Sequence, residues 1–288
     1  MAWSRLWAAA QSLARTSQPP TGGPAGGVPQ SLLRYALASR TEFPLGSMVR
    51  AGAARTDAST PIVLCLTQQP ELSVGRQKGL AVWPAGVAWP AAVPELELAL
   101  SDAEAPPHGA DKPLPLIVEL GSGCGIVACA LAHGAGYQVL ATDGDADALR
   151  ICESNLRANC GDSAAQSWRV MHMSWGDRWE AAAVAAAVAA HPGGEGIAVM
   201  ADVVYPSNAG RGAAEALCET LAHSGCSRGL LLQTDHLTDP SLWPALEAAG
   251  FSPRKRPAKL LADHVALQGW PMIPSFTLCS ITLPGLSS

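Results

Sequence analysis

One segment limits the possible folds of this chain more than any other: the apolar run Leu116–Leu120, which leads into the glycine-rich residues 121–125. An apolar run that breaks into alternating glycines is typical of a buried parallel strand and an open loop, and residues 126–133 can continue as a helix. A second apolar run ends at Asp143, 20 positions after Gly123. A carboxylate there can accept hydrogen bonds from both hydroxyls of a ribose. The two runs therefore predict a site for a cofactor that contains a nucleoside.

The glycine spacing distinguishes between such cofactors. A dinucleotide-binding loop reads G-x-G-x-x-G, but here the third glycine, Gly125, comes one residue early and Ile126 takes its place. The chain has no Gly-Lys-Ser/Thr phosphate loop, and Leu120 stands where a G-x-S-x-G hydrolase turn around Ser122 needs a glycine. A loop that provides room more than charge suits an adenosine joined to a methionine. We therefore expect S-adenosyl-L-methionine as the cofactor.

Charge and cysteine content narrow the environment and the partners. The net charge of -5 argues against nucleic acid binding through overall electrostatics. The eight cysteines form no C-x-x-C pair, so we expect reduced thiols, a reducing compartment and no metal. No apolar stretch approaches the roughly 20 residues that span a bilayer. We expect neither a nucleic acid nor a membrane as partner, and we expect a monomer.

The N-terminal segment differs in composition from the remainder. Residues 1–55 are rich in proline and glycine, and the first 41 contain arginines and serines but no acid. This composition fits an organellar transit peptide or a leader without a targeting function, and the sequence leaves both alternatives open. We predict a leader over 1–55 and one domain over 56–288. The predicted location is the cytoplasm, or a chloroplast or mitochondrion if the leader is a transit peptide.

From residue 116 onward, apolar patterns typical of strands and helices alternate. This alternation predicts a Rossmann-like α/β fold, with a seven-stranded, mostly parallel, doubly wound sheet. Ligands of such sheets bind beyond the carboxyl ends of the strands. We predict strands at 116–120, 138–142, 168–172, 197–202 and 229–234, closing strands near 258–267 and 275–283, and helices at 126–133, 145–158, 178–190, 210–222 and 240–249.

Two further features are the segment that precedes this pattern and a basic cluster near its end. Residues 61–66 and 80–83 predict an N-terminal β-hairpin extension, followed by a helix over about 86–100 that Pro90 and Pro94 interrupt. A basic cluster between the last helix and the closing strands is interpreted as a solvated turn, with a basic groove as the alternative. It consists of Arg254, Lys255, Arg256 and Lys259.

Five blocks over roughly residues 75–250 resemble the seven-strand protein-lysine methyltransferases that act on calmodulin, elongation factor 2 and chaperones. The chain departs from that pattern at Met173 and Ser174, at Trp89, and after Tyr205. The blocks, in chain order, are Gly79-Leu80-Ala81-Val82-Trp83-Pro84-Ala85, Val118-Glu119-Leu120-Gly121-Ser122-Gly123-Cys124-Gly125, Thr142-Asp143-Gly144-Asp145 with Asn155 and Asn159, Ser174-Trp175-Gly176-Asp177, and Ala201-Asp202-Val203-Val204-Tyr205.

The resemblance implies a set of cofactor-binding residues. Asp143 would bind the ribose, although an acid here can also cap the next helix, for which Asp145 is better placed. Glu119 would attract the ammonium of the methionine tail. Trp175 would form a wall against the adenine, and Trp83 would close the methionine end, although either tryptophan can be a core anchor. Completing the set, Gly121, Ser122 and Gly123 would bring backbone amides to the tail, and Ala201 would lie beneath the adenosine.

The same resemblance implies a catalytic pair at the acceptor side. Asp202 would orient the acceptor amine, and Tyr205 would accept a hydrogen bond or narrow the channel, with a structural role at a strand end as the alternative for both. We therefore expect an S-adenosylmethionine-dependent methyltransferase that modifies a lysine of a protein partner. The alternatives are a small-molecule N- or O-methyltransferase and a module that binds a cofactor or a partner without turnover.

Overall fold

The computed structural model describes residues 40–46, 62–68, 82–100, 113–161, 167–205, 212–235, 237–257 and 275–283. The elements in chain order are β1 (Arg40–Gly46), β2 (Ile62–Thr67), α1 (Pro84–Leu100), β3 (Leu116–Leu120), α2 (Ile126–Cys129, followed by a π-helical turn at Ala130–Gly134), β4 (Val139–Asp143), α3 (Ala146–Cys160), β5 (Trp168–His172), α4 (Arg178–Ala189), β6 (Gly196–Ala201), α5 (Ala213–His223), β7 (Cys226–Thr234), α6 (Leu242–Ala248), β8 (Ser252–Pro257) and β9 (Phe276–Thr282). No helix among these residues is long and apolar enough to cross a membrane.

Seven of the strands form one sheet in the order β5-β4-β3-β6-β7-β9-β8. Strands β3 to β7 are parallel, and β9 is antiparallel to both of its neighbours. The predicted Rossmann-like fold is confirmed. The chain first extends the sheet from β3 to one side and then crosses to the other side at β6, so the switch point lies at the carboxyl end of β3, where a ligand site is expected.

Apolar layers cover both faces of the sheet, which explains why β3 has no polar face. Ile117 belongs to the core beneath α1, α2 and α3, whereas Leu116 and Val118 belong to the core beneath α4, α5 and α6. Successive side chains of a strand point to opposite faces, so a strand with helices on both sides is apolar throughout. All five residues of β3 are buried. Glu119 is therefore an acid in an otherwise apolar strand.

The N-terminal extension differs from the predicted hairpin. The expected strand near 61–66 is present as β2, but its partner is β1, which pairs with it antiparallel. Val82 and Trp83 are not in a strand, and residues 80–81 lie outside the described residues. The sequence of β1, with a proline and a bulge near Gly46, has too weak an alternation to indicate a strand. Strand β1 lies within the segment predicted as leader, and residues 1–39 are not described.

Helix α1 runs without interruption through Pro90 and Pro94, contrary to prediction. Each proline removes one backbone hydrogen bond, and tight packing of this helix against the core compensates. A Cβ atom on Gly86 would lie 2.7 Å from Ile126 Cγ2, so α1 and α2 are in close contact there. Trp89 is fully buried, and its Nε1 donates to the Met200 carbonyl at 3.2 Å. The tryptophan that departs from the family pattern is thus a core anchor.

The basic cluster is on a strand and not in a turn. Arg254, Lys255 and Arg256 belong to β8, the edge of the sheet, whereas the predicted closing strand at 258–267, with Lys259, falls outside the described residues. Ser252, Arg254 and Lys255 are exposed, so this edge strand lacks the apolar run by which buried strands are found. The Lys255 ammonium lies 4.8 Å from the centre of the Trp243 ring, which gives it a cation-π contact with α6.

Candidate functional site

A cleft of about 300 Å³ opens at the carboxyl ends of the parallel strands, at the switch point beside β3. All ten residues that the sequence predicted as site residues line it: Trp83, Glu119, Gly121, Ser122, Gly123, Asp143, Trp175, Ala201, Asp202 and Tyr205. They come from four strand ends and the start of α1. The structure therefore brings the predicted cofactor side and the predicted acceptor side into one cavity.

The glycine loop provides room in this cleft. Gly121 has a φ of +76°, and a Cβ atom on it would lie 3.2 Å from both Trp175 Cζ2 and Val203 Cγ1. Gly121 N and Ser122 N both donate to the Thr142 carbonyl at 2.9 Å. Gly123 N donates to Asp143 Oδ2 at 2.8 Å. The expected free amides are thus already bonded to β4 and its end, and the loop offers the space above its glycines instead.

Asp143 is the residue that connects the loop to β4. Its Oδ2 accepts from Gly123, and its Oδ1 accepts from Asp145 N at 2.9 Å. Burial raises its pKa above the usual range. Each carboxylate oxygen has two lone pairs, so both can accept another hydrogen bond. The helix cap is Asp145, whose side chain accepts from Asp147 N and Ala148 N, as the sequence predicted.

Glu119 provides an unpaired acceptor within the cleft. The side chain is buried, and Oε2 has no hydrogen-bond partner among the described residues. Burial raises its pKa well above the usual range, and the Ala128 N–H opposes this effect. Ser122 Oγ is also buried, and its hydrogen-bonding neighbour is the Cys152 thiol. A buried carboxyl oxygen without a partner is costly unless a ligand satisfies it, and the ammonium of S-adenosylmethionine fits that need.

The Trp175 turn forms the opposite wall. Its ring contacts the glycine loop at Gly121, and Gly176 N donates to Thr220 Oγ1 at 2.9 Å, which fixes the turn to α5. Gly176 has a φ of +85°, a conformation that glycine adopts without strain. The tryptophan is therefore held in place from two sides.

On the other side of the cleft, Asp202 joins three segments of the chain. Its Oδ2 accepts from Ala85 N at 3.0 Å and Thr234 Oγ1 at 2.8 Å, and its Oδ1 accepts from Thr234 N at 2.7 Å. Burial raises its pKa to about 6, and these donors oppose that shift. Its φ of 51° is the left-handed conformation that aspartate tolerates better than most residues. The carboxylate thereby ties the start of α1 and the end of β7 to the end of β6.

Next to Asp202, two aromatic side chains stand together. The Trp83 and Tyr205 rings are stacked, with centroids 6.4 Å apart and an angle of 12° between their planes. Trp83 directly precedes α1, and Tyr205 follows β6 after a short segment. Because Asp202 connects these two elements, it also fixes the relative position of the two rings.

Two residues of this arrangement, Gln233 and Thr234, were not predicted from the sequence. Both are buried at the carboxyl end of β7. Gln233 Oε1 accepts from Val203 N at 3.0 Å, and its Nε2 donates to the Val204 carbonyl at 3.0 Å, so it holds the segment that leads to Tyr205. The sequence does contain an indication of them: they are two polar residues at the end of the apolar run of β7, directly at the ligand-binding edge of the sheet.

A histidine beside the cleft predicts a pH effect. His172 Nδ1 lies 2.8 Å from Glu180 Oε1, and its Nε2 lies 3.1 Å from the Gly144 carbonyl oxygen. Both partners only accept, so only the imidazolium satisfies both. Glu180 raises the pKa of His172, as does the more distant Asp143, and Glu180 also accepts from Ser174 N.

We therefore expect the hold on Gly144, which lines the cleft, to be present at low pH and lost as pH rises through the His172 pKa. Calorimetry should show S-adenosylmethionine affinity falling by about two- to threefold across this range. In His172→Ala this fall should be absent. If the affinity of the variant still falls as pH rises, a group other than His172 causes the fall.

The chain matches a family model described as lysine methyltransferase over residues 66–231, more than half of its 288 residues. A comparison with curated proteins found no match. Among solved structures, the human methyltransferase 10 domain containing protein is similar with a TM-score of 0.44 and 9% identity, over 69% of this chain and 83% of that one. A TehB-like SAM-dependent methyltransferase from Corynebacterium glutamicum has a TM-score of 0.38 and 13% identity, over 65% and 86%.

The matched range contains every residue of the cleft, from Val82 to Tyr205. It also contains the parallel strands on which the cleft is built, from β3 to most of β7. The chain therefore belongs to the lysine methyltransferase family and is an S-adenosylmethionine-dependent methyltransferase.

Proposed function

We propose that this protein transfers a methyl group to the side-chain amine of a lysine in a protein. The observation that carries the proposal is the combination of the stacked Trp83 and Tyr205 rings with the buried carboxylate of Asp202 at one end of the cleft. Aromatic faces and a carboxylate both attract an ammonium group, and the rings can also contact the apolar stem of a lysine. The family match over residues 66–231 supports the same acceptor.

On the donor side, the residues are assigned by their position in the cleft. Asp143 accepts from the ribose hydroxyls, Glu119 binds the ammonium of the methionine tail, and Trp175 packs against the adenine. Ala201 lies beneath the adenosine, and Gly121, Ser122 and Gly123 leave room for the tail. When bound, S-adenosylmethionine supplies an electrophilic methyl group on a positively charged sulfur.

Transfer requires an unprotonated amine in line with the bond from sulfur to the methyl carbon, at roughly 3 to 3.5 Å. The new nitrogen–carbon bond forms as the sulfur–carbon bond breaks, and the amine proton leaves to solvent. Lysine is protonated near neutral pH, and removal from water lowers its pKa. The Trp83 and Tyr205 rings exclude water from the acceptor path and thereby favour the neutral amine.

We assign Asp202 chiefly as a positioning residue, because three protein donors already bind its carboxylate. It holds Ala85, and therefore the adjacent Trp83, against the segment that carries Tyr205. Its negative charge still attracts the incoming ammonium before deprotonation. Tyr205 narrows the channel.

The test is incubation of the full chain with a cell extract and S-adenosylmethionine labelled in its methyl group. Label should enter protein and be recovered as methyl-lysine after hydrolysis. Tyr205→Phe should retain most of this activity and Tyr205→Ala should lose about tenfold or more, while both bind the cofactor equally. Label recovered only in small molecules would contradict the lysine acceptor, and cofactor binding without transfer would indicate a non-catalytic module.

A further inference from the structure

We propose that Asn155 is a positioning residue that couples the N-terminal sheet of β1 and β2 to the glycine loop, and thereby sets the affinity for the cofactor. The inference rests on the proposed placement of the cofactor above that loop. Asn155 lies on α3 and is 1% exposed. It contacts both the extension, at Thr67, and the lining of the cleft, at Cys124.

The contacts of Asn155 use its whole side-chain amide. Oδ1 accepts from Thr67 N at 2.7 Å, and Nδ2 donates to the Thr67 carbonyl at 2.8 Å. The second hydrogen of Nδ2 is directed to the Cys124 carbonyl at 2.7 Å. One amide therefore binds the backbone of β2 in both directions and also binds the glycine loop.

Asn159, one turn further along α3, makes the same pair of contacts with the strand. Its Oδ1 accepts from Cys65 N at 2.8 Å, and its Nδ2 donates to the Cys65 carbonyl at 2.9 Å. Residues two apart on a strand present their backbone groups to the same edge. The two amides thus take the place of a third strand beside β2. Asn159 differs in its last donor, which bonds to the Asn155 carbonyl at 2.7 Å and not to the loop.

The loop is held firmly enough for this contact to matter. Gly125 has a φ of +82°, and a Cβ atom on it would lie 2.6 Å from Cys152 Sγ, so the loop is in direct contact with α3. Cys124 and its neighbour Gly123 line the cleft. Without Asn155, the buried Cys124 carbonyl would lose this donor, and the peptide group that follows it would be less firmly held. The room that the loop offers to the methionine tail would then change shape.

The test compares Asn155→Ala with Asn159→Ala in the full chain. Both remove a bidentate contact with β2, so both should lower the midpoint of unfolding. Only Asn155→Ala should weaken S-adenosylmethionine binding in calorimetry, by about tenfold, with Asn159→Ala within about twofold of the parent. In extract assays, Asn155→Ala should raise KM for the cofactor and leave kcat at saturating cofactor unchanged. Equal affinities in the two variants would reduce Asn155 to a structural role and overturn the proposal.

A measurement on the unmodified chain guards against a variant that does not fold. Coupling between two sites is reciprocal, so cofactor binding should slow hydrogen exchange at the Thr67 amide, and more than at the Cys65 amide. If the cofactor binds but hydrogen exchange at the Thr67 amide does not change, the coupling is wrong and the proposed donor site still stands. A chain that binds no S-adenosylmethionine would instead contradict the proposed donor site.

Discussion

Replacing Asp143 by alanine is expected to weaken S-adenosylmethionine binding by about a hundredfold or more. The variant loses the proposed acceptor for both ribose hydroxyls, and hydrogen bonds to a charged group contribute roughly 1.5 to 3 kcal/mol each. It also releases Gly123 N and Asp145 N, which the carboxylate holds at 2.8 and 2.9 Å. The loop and the ribose site are therefore disturbed together. Calorimetric titration of the folded variant measures the effect.

Asp177→Ala is the matched control for Asp143→Ala. Asp177 also binds two backbone N–H groups, those of Trp179 and Glu180 at the start of α4, but it does not line the cleft. Losing this cap should lower the free energy of unfolding by about 1 kcal/mol and leave cofactor affinity nearly unchanged. A folded Asp143→Ala variant that binds within threefold of the parent would contradict the ribose assignment.

Replacing Asp202 by alanine is expected to abolish turnover and to lower the free energy of unfolding by about 3 to 5 kcal/mol. Three buried donors, from Ala85 and from two groups of Thr234, would lose their common acceptor. The start of α1 would also lose its tie to β7, so Trp83 would no longer be held against Tyr205. Denaturation in urea and the labelled-extract assay measure the two effects. A stable variant with full activity would show that the acceptor binds elsewhere in the protein.

Asp202→Asn separates the charge of this residue from its shape. The folded pKa of Asp202 is about 6, above its ordinary value of 3.8, so ionisation is disfavoured in the folded state. Protonated Asp202 therefore makes its full contribution to the free energy of unfolding below about pH 4. This contribution, about 3 kcal/mol, is lost as pH rises through 6. The free energy of unfolding of the parent should fall by this amount relative to Asp202→Asn between these limits. If Asp202→Asn and the parent show parallel curves, the pKa of Asp202 is the same in the folded and unfolded states, and the raised pKa is wrong.

The sequence located the donor side of the site because its chemistry is local. The β3 run, the glycines and Asp143 lie within one strand–loop–strand unit, where neighbours in the sequence are also neighbours in space. The same locality explains why Asp145 was correctly expected to be the cap of α3: its partners are two and three residues away.

Long-range partners explain what was missed or wrong. Strand β2 was expected to pair with residues 80–83, yet it pairs with β1, whose irregular sequence gives little indication of a strand. The basic residues of β8 look like a turn because an edge strand has no apolar run to identify it. Pro90 and Pro94 look like helix breaks, but the packing of α1 against the sheet outweighs the lost hydrogen bonds.

The sequence by itself indicated the fold class, the cofactor and ten of the residues that line the cleft, because buried strands and glycine turns leave periodic and compositional patterns. Only the tertiary structure decided what those residues contact. It engaged the loop amides with β4, bound Asp202 to Ala85 and Thr234, and placed Asn155 between β2 and Cys124. The contacts of Asp202 and Asn155 join residues 31 to 117 positions apart, and hydrogen bonds over that separation are set by how elements pack, which no local pattern encodes.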